Sequence, residues 1–60
     1  MERFEMSVCL ENAAFEDEPM TELARILRTV ARRLEDGNFK DANTVYDENG
    51  NRVGVFTLED

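Results

Sequence analysis

Residues 19–35, Pro19-Met20-Thr21-Glu22-Leu23-Ala24-Arg25-Ile26-Leu27-Arg28-Thr29-Val30-Ala31-Arg32-Arg33-Leu34-Glu35, decide the architecture. Met20, Leu23, Ala24, Leu27, Val30, Ala31 and Leu34 recur at the i, i+3, i+4, i+7 spacing of an amphipathic helix. Those side chains are therefore expected to face the core, with Ile26 at the edge of the apolar stripe. Pro19 suits a first helical turn, where its missing N–H would have no partner, and Asp17 or Glu18 stands where a cap belongs. Acids gather near the start (Glu18, Glu22) and arginines toward the end (Arg25, Arg28, Arg32, Arg33), as the helix dipole favours. Gly37 is placed to end the helix in the left-handed conformation.

Outward from this helix the period changes to two. From Arg3 to Leu10, Phe4, Met6, Val8 and Leu10 alternate with Glu5, Ser7 and Cys9, so a strand with one buried face is expected. The connection 11–18 holds Asn12 as a turn residue and Phe15 as a plug for one end of the core. A second connection, 38–43, offers Phe39 as another plug. Thr44 to Asp47 and Arg52 to Leu58 read as two strands around Asn49-Gly50, a hairpin signal because both residues tolerate positive φ. With a two-residue turn, Val45 lies opposite Gly54 and Asn43 opposite Phe56. Val45, Phe56 and Leu58 then share the core face, where Gly54 would let the helix approach closely. Tyr46, Val53 and Val55 fall on the other face, beside Cys9.

The reading is a single α+β domain over residues 1–60, in strand–helix–strand–strand order. A right-handed crossover makes the first and second strands parallel in direction. The third strand is expected between them, which makes both pairings antiparallel; the alternative places the second strand in the middle.

Size and charge bound the function. A chain of 60 residues buries only ~60% of the surface its unfolded form exposes, so little stability is in reserve. No apolar run approaches the ~20 residues a membrane span needs, and the charged start, Met1-Glu2-Arg3-Phe4-Glu5, does not read as a signal peptide. A single cysteine excludes an internal disulfide framework and points to a reducing cytoplasm. Fourteen acids against seven bases give a net charge of −7, which disfavours nucleic acid and anionic membrane as partners.

The residue types argue against catalysis. There is no histidine, so no Ser–His or Cys–His pair can form. Zinc has one cysteine and nothing else to bind, and no cofactor motif is present. Asp47-Glu48-Asn49-Gly50-Asn51 opens like a calcium loop, but Arg52 occupies the place of its glycine and Leu58 that of its closing glutamate. So small a domain has no second lobe with which to enclose an acid/base pair. Arg25, Arg28 and Arg32 share one side of the helix and could hold phosphates, yet acids flank them, and RNA would want more exposed aromatics than Tyr46.

Three stretches taken together carry a resemblance. They are Asn12-Ala13-Ala14-Phe15 with Asp17 and Pro19; Glu22-Leu23-Ala24-Arg25-Ile26-Leu27-Arg28 with Ala31 and Leu34; and Asp47 with Asn49-Gly50-Asn51-Arg52-Val53-Gly54 and Phe56. In order and spacing they resemble a group of small uncharacterised proteins encoded by bacteriophages and plasmid-like elements. The likeness covers most of the chain and implies a bacterial cytoplasm. It carries over no functional residue, and the segment 38–43 is longer than the group's usual pattern.

What remains is recognition. One helix covers one face of a three-stranded sheet, so the far face is expected to expose Tyr46, Val53 and Val55, with Ile26 at the helix edge. The expected function is a non-catalytic protein–protein interaction module acting on a host protein or on a second copy of itself. The alternative is an acidic decoy that mimics nucleic acid to block a host enzyme.

Overall fold

The computed structural model describes residues 2–40 and 42–60. The sequence readings that involve Met1, and Asp41 within the connection 38–43, lie outside the described residues. Strand β1 (Arg3–Val8) leads through a short 3-10 turn (Ala13–Phe15) into helix α1 (Pro19–Glu35), followed by β2 (Ala42–Tyr46) and β3 (Arg52–Glu59). The sheet order is β1-β3-β2 and both pairings are antiparallel, so β3 is central as expected.

The helix has the predicted bounds because its ends are chemically punctuated. Pro19 occupies the first turn, where the Glu18 carbonyl accepts from the N–H groups of Thr21 and Glu22. At the other end Gly37 has φ +72°, and the N–H groups of Gly37 and Asn38 donate to the carbonyls of Leu34 and Arg33. That pair of bonds is a Schellman cap.

The helix is rolled relative to its apolar stripe. Ile26 (1% exposed) and Val30 are buried, together with the carboxylate side chain of Glu22, while Met20 (61%) and Leu27 (49%) are exposed. At about 100° per residue, the line Glu22–Ile26–Val30 lies about a quarter of a turn from the middle of the predicted stripe. Ile26, expected at the edge, is a core residue. Polar bonds on both ends of the helix fix the roll. Glu22 accepts from the Glu48 N–H at 2.8 Å, and Arg33 donates to the Thr44 carbonyl at 3.1 Å. These hold the 22–26–30–33 side of α1 against the hairpin.

The hairpin corrects a second expectation. Residues 48–50 form a three-residue loop closed by the Asp47 N–H on the Asn51 carbonyl (2.9 Å), and only Gly50 takes a positive φ (+85°). Asn49 does not, so the turn is not the two-residue type. The register that leaves the turn pairs Tyr46 with Arg52; Val45 then pairs with Gly54, and Val53 is the extra residue of a β-bulge. The bulge restores the expected Val45–Gly54 and Asn43–Phe56 pairs. It also turns Val53 (6% exposed) into the core with Phe15, Ile26, Val30, Val45 and Phe56. Phe15 and Phe39 close the cluster as plugs, the first buried and the second half-buried.

Gly54 is also placed differently from expectation. A Cβ there would strike the Ser7 carbonyl oxygen and approach the Val8 Cα to 3.0 Å, so the close neighbour is the backbone of β1 and not the helix.

Candidate functional site

The outer sheet face follows from the register. It carries Arg3, Glu5 and Ser7 of β1, Val55, Thr57 and Glu59 of β3, and Ala42 and Thr44 of β2. Arg3 pairs there with Glu5 (2.8 Å) and Glu59 (3.0 Å). Val55 is the one large apolar residue of this set and is half-buried. Tyr46 is exposed at the β2 edge, where it lines a groove of about 540 Å3 with Arg25, Thr29, Arg33, Thr44 and Asp47. The four residues expected to form a recognition face are therefore dispersed. Ile26 and Val53 lie in the core, Val55 lies on a polar face, and Tyr46 stands at an edge.

The β2 edge is sealed by the helix. Arg25 donates to the Tyr46 carbonyl (3.4 Å) and Arg33 to the Thr44 carbonyl (3.1 Å), the two carbonyls that point away from β3. Arg33 is held by further bonds to the Asn38 carbonyl (3.3 Å) and the Asn43 Oδ1 (3.0 Å), and its guanidinium lies 5.0 Å from the centroid of the Phe56 ring. Arg25 forms a two-pronged bond with Glu22, Nε to Oε1 at 2.7 Å and Nη2 to Oε2 at 2.9 Å. These arginines block further strand addition at β2. Arg25 is thereby taken out of the Arg25–Arg28–Arg32 set considered for phosphate.

Two buried carboxylates organise the turn end. Asp47 Oδ1 accepts from the Asn49 and Asn51 N–H groups (both 2.9 Å), and Oδ2 accepts from the Asn12 side-chain amide (3.2 Å) and that of Asn51 (3.3 Å). Burial raises the pKa of Asp47, and the bonds from Asn51, Asn12 and Asn49 together outweigh it, leaving the group below its ordinary range. Glu22 is also held low, first by the hydrogen bond from Arg25 and then by the Glu48 N–H, against an opposing push from burial. Donors surround both groups, which ties the segment before the helix, the helix and the hairpin to one another. Sequence reading missed this clamp. The one local signal is an acid followed three residues later by arginine, a spacing that pairs on any face of a helix.

The exposed apolar surface lies elsewhere. Phe4 (45%), Leu10, Met20 and Leu27 are large and exposed, with Met6, Val8, Leu23 and Leu34 half-buried behind them. The roll of the helix explains this. Arg25 and Arg33 turn one flank of α1 toward β2. The opposite flank, with Leu23, Leu27, Leu34 and Met20, looks toward the β1 side of the sheet. Phe4 stands on the helix-side face of β1, its ring 5.7 Å from that of Phe56. The chain exposes 4385 Å2, against about 4,000 Å2 expected of a 6.9 kDa monomer. Its radius of gyration is 11.8 Å, against about 10.4 Å for a compact chain of this length.

Among the described residues no helix is long and apolar enough to cross a membrane, and no group of three or more Cys, Asp or Glu is gathered as metal ligands. No protein-family model matches the chain, and no curated protein or solved structure does.

Proposed function

We propose that this chain is a non-catalytic protein-binding module, encoded by a bacteriophage or plasmid-like element and acting in a bacterial cytoplasm. Its working surface is the apolar flank on the β1 side: Phe4, Leu10, Met20 and Leu27. The observation that carries this reading is the exposure of large apolar side chains on the stripe that amphipathic patterning would bury. A contiguous exposed apolar surface on a small domain is best accounted for by a partner. The lack of histidine and the engagement of both buried carboxylates by donors support a non-catalytic role. The phage assignment rests on the sequence resemblance.

The reading predicts a separation of folding from binding. Phe4→Lys combined with Leu27→Glu should leave the far-ultraviolet circular dichroism unchanged, because both side chains are already half in water. Affinity for whatever occupies this flank, a second copy of the chain or a protein retained from a bacterial lysate, should fall at least ~100-fold, the scale of losing two central apolar anchors. Retention of the same partner at undiminished affinity by the double variant would sink this reading.

A further inference from the structure

The two sheet edges are treated differently, and the difference points to a second copy of the chain. On β3, residues 54 and 56 bond toward β2, so the odd-numbered residues bond toward β1, as the Cys9 N–H on the Val53 carbonyl (2.8 Å) confirms. The N–H and C=O groups of Phe4, Met6 and Val8 therefore point outward from β1. Arginines cover the corresponding carbonyls of β2, whereas β1 has no such cover among the described residues. Edge groups of this kind are a template for strand pairing.

Resting on the reading of the β1 side as the working surface, we propose that β1 pairs antiparallel with β1 of a second copy, Met6 opposite Met6, to form a six-stranded sheet. This register uses the whole outward set: Phe4 bonds with Val8 of the other copy, Met6 with Met6, and Val8 with Phe4, so each outward N–H meets an outward C=O. On the outer face Glu5 then lies opposite Ser7 of the other copy. Moving the register by two residues one way sets Glu5 against Glu5, and like charges directly opposite are destabilising. Moving it two the other way leaves Phe4 without its partner. Odd shifts set the apolar face of one strand against the charged face of the other.

The two-fold axis of this pairing is perpendicular to the sheet, so both helices lie on the same side. Their Leu23–Leu27 flanks face each other above a floor of Phe4, Met6 and Val8 from both copies. One association thus covers both the open edge and the apolar flank. It also accounts for a surface larger than a lone chain of this mass should expose. A standard interface takes ~800 Å2 from each partner, about a fifth of the surface here, and the open edge and the apolar flank lie side by side to contribute to it.

Two variants read the register directly. Glu5 and Ser7 are exposed on the outer face, so Glu5→Cys and Ser7→Cys, each with Cys9→Ser, should fold normally. Across the pairing they form a non-hydrogen-bonded pair, within disulfide reach. Under mild oxidation the mixture of the two variants should yield a covalent dimer, while neither alone should. Sedimentation equilibrium of the unaltered full chain should give twice 6.9 kDa. Met6→Pro removes an outward N–H and no β1–β3 bond, and should return the mass to that of one chain. A single-chain mass for the unaltered protein, cross-linking of Glu5→Cys with itself, or no cross-link in the mixture would overturn the pairing. A single-chain protein that still bound its partner through Leu27 would leave the function proposed above standing.

Discussion

Replacing Gly54 by alanine is expected to remove most of the protein's stability, although it adds a single methyl group. The added carbon would collide with the Ser7 carbonyl oxygen, and it would sit 3.0 Å from the Val8 Cα and 3.1 Å from the Ser7 carbonyl carbon. All three are backbone atoms of the neighbouring strand, so no rotamer change can relieve the clash. The strands must separate where β1 and β3 pair Val8 with Gly54. Overpacking of this kind costs about 3 kcal/mol or more, against a total of roughly 3–9 kcal/mol for a domain of this length. The thermal midpoint should fall by roughly 12–24 °C, if a transition survives. Gly37→Ala and Gly50→Ala provide the contrast. Both sites have open space around the missing Cβ and positive φ, so each should cost only about 1 kcal/mol. Melting curves followed by circular dichroism should rank Gly54→Ala far below the other two. A Gly54→Ala midpoint within a few degrees of the parent would show that β1 and β3 are not so closely apposed.

Particular residues show why some of this was legible in the sequence. Pro19 and Gly37 mark the helix ends with chemistry that has few other uses, so the span 19–35 could be read to the residue. Alternation marks β1, the Asn49-Gly50 signal marks the β2–β3 hairpin, and a right-handed crossover with antiparallel pairing places β3 between the others. The roll of the helix was not legible. Leu23, Leu27 and Leu34 dominate the apolar stripe, but Glu22, Arg25 and Arg33 set the orientation by hydrogen bonds to atoms distant in sequence. A hydrophobicity pattern contains no term for such bonds. Val53 departs from expectation for a local reason: a three-residue turn and a bulge each shift the register by one residue, and their effects cancel only from the Val45–Gly54 pair onward.

The same limits apply to the candidate surface. Tyr46 was read as exposed and is exposed, while Val55 lies on the outer face, half-buried among polar neighbours. Ile26 and Val53 were assigned to the surface because the sheet was treated as regular and the helix as facing its stripe. Phe4, Leu10, Met20 and Leu27 were read as core residues. The patterning marks them as apolar but does not show that the chain's own core leaves them exposed. That depends on the roll of α1, and the Glu22–Arg25–Glu48 bonds decide it.

Those bonds make stability depend on acid in a definite direction. Glu22 and Asp47 both have folded-state pKa values below their ordinary ones of 4.5 and 3.8. An acid with a depressed folded pKa contributes stability that is present above its unfolded pKa and is lost as pH falls through the folded value. Stability should therefore be nearly level from pH 7 to about 5 and fall steeply below about 4. Exposed acids oppose the trend above that range, since neutralising them on approach to the pI of 4.4 relieves self-repulsion. Glu22→Gln isolates one part of the effect. It keeps the shape but loses the charge that the Arg25 fork and the Glu48 N–H were holding. At pH 7 it should cost about 1–2 kcal/mol, toward the low end because the guanidinium of Arg25 is partly in water. As pH falls through the parent's depressed folded-state pKa, its Glu22 becomes protonated as well, and the two melting curves should converge. A gap that stays undiminished down to the most acidic pH at which both still fold would mean that Glu22 acts through packing and not through its charge. Asp47→Ala should be the more damaging change at neutral pH, since it removes the acceptor for four donors that shape the turn. Its signature should be the early loss of amide protection at Asn49 and Asn51, while the helix amides between Ile26 and Val30 open only with the whole molecule.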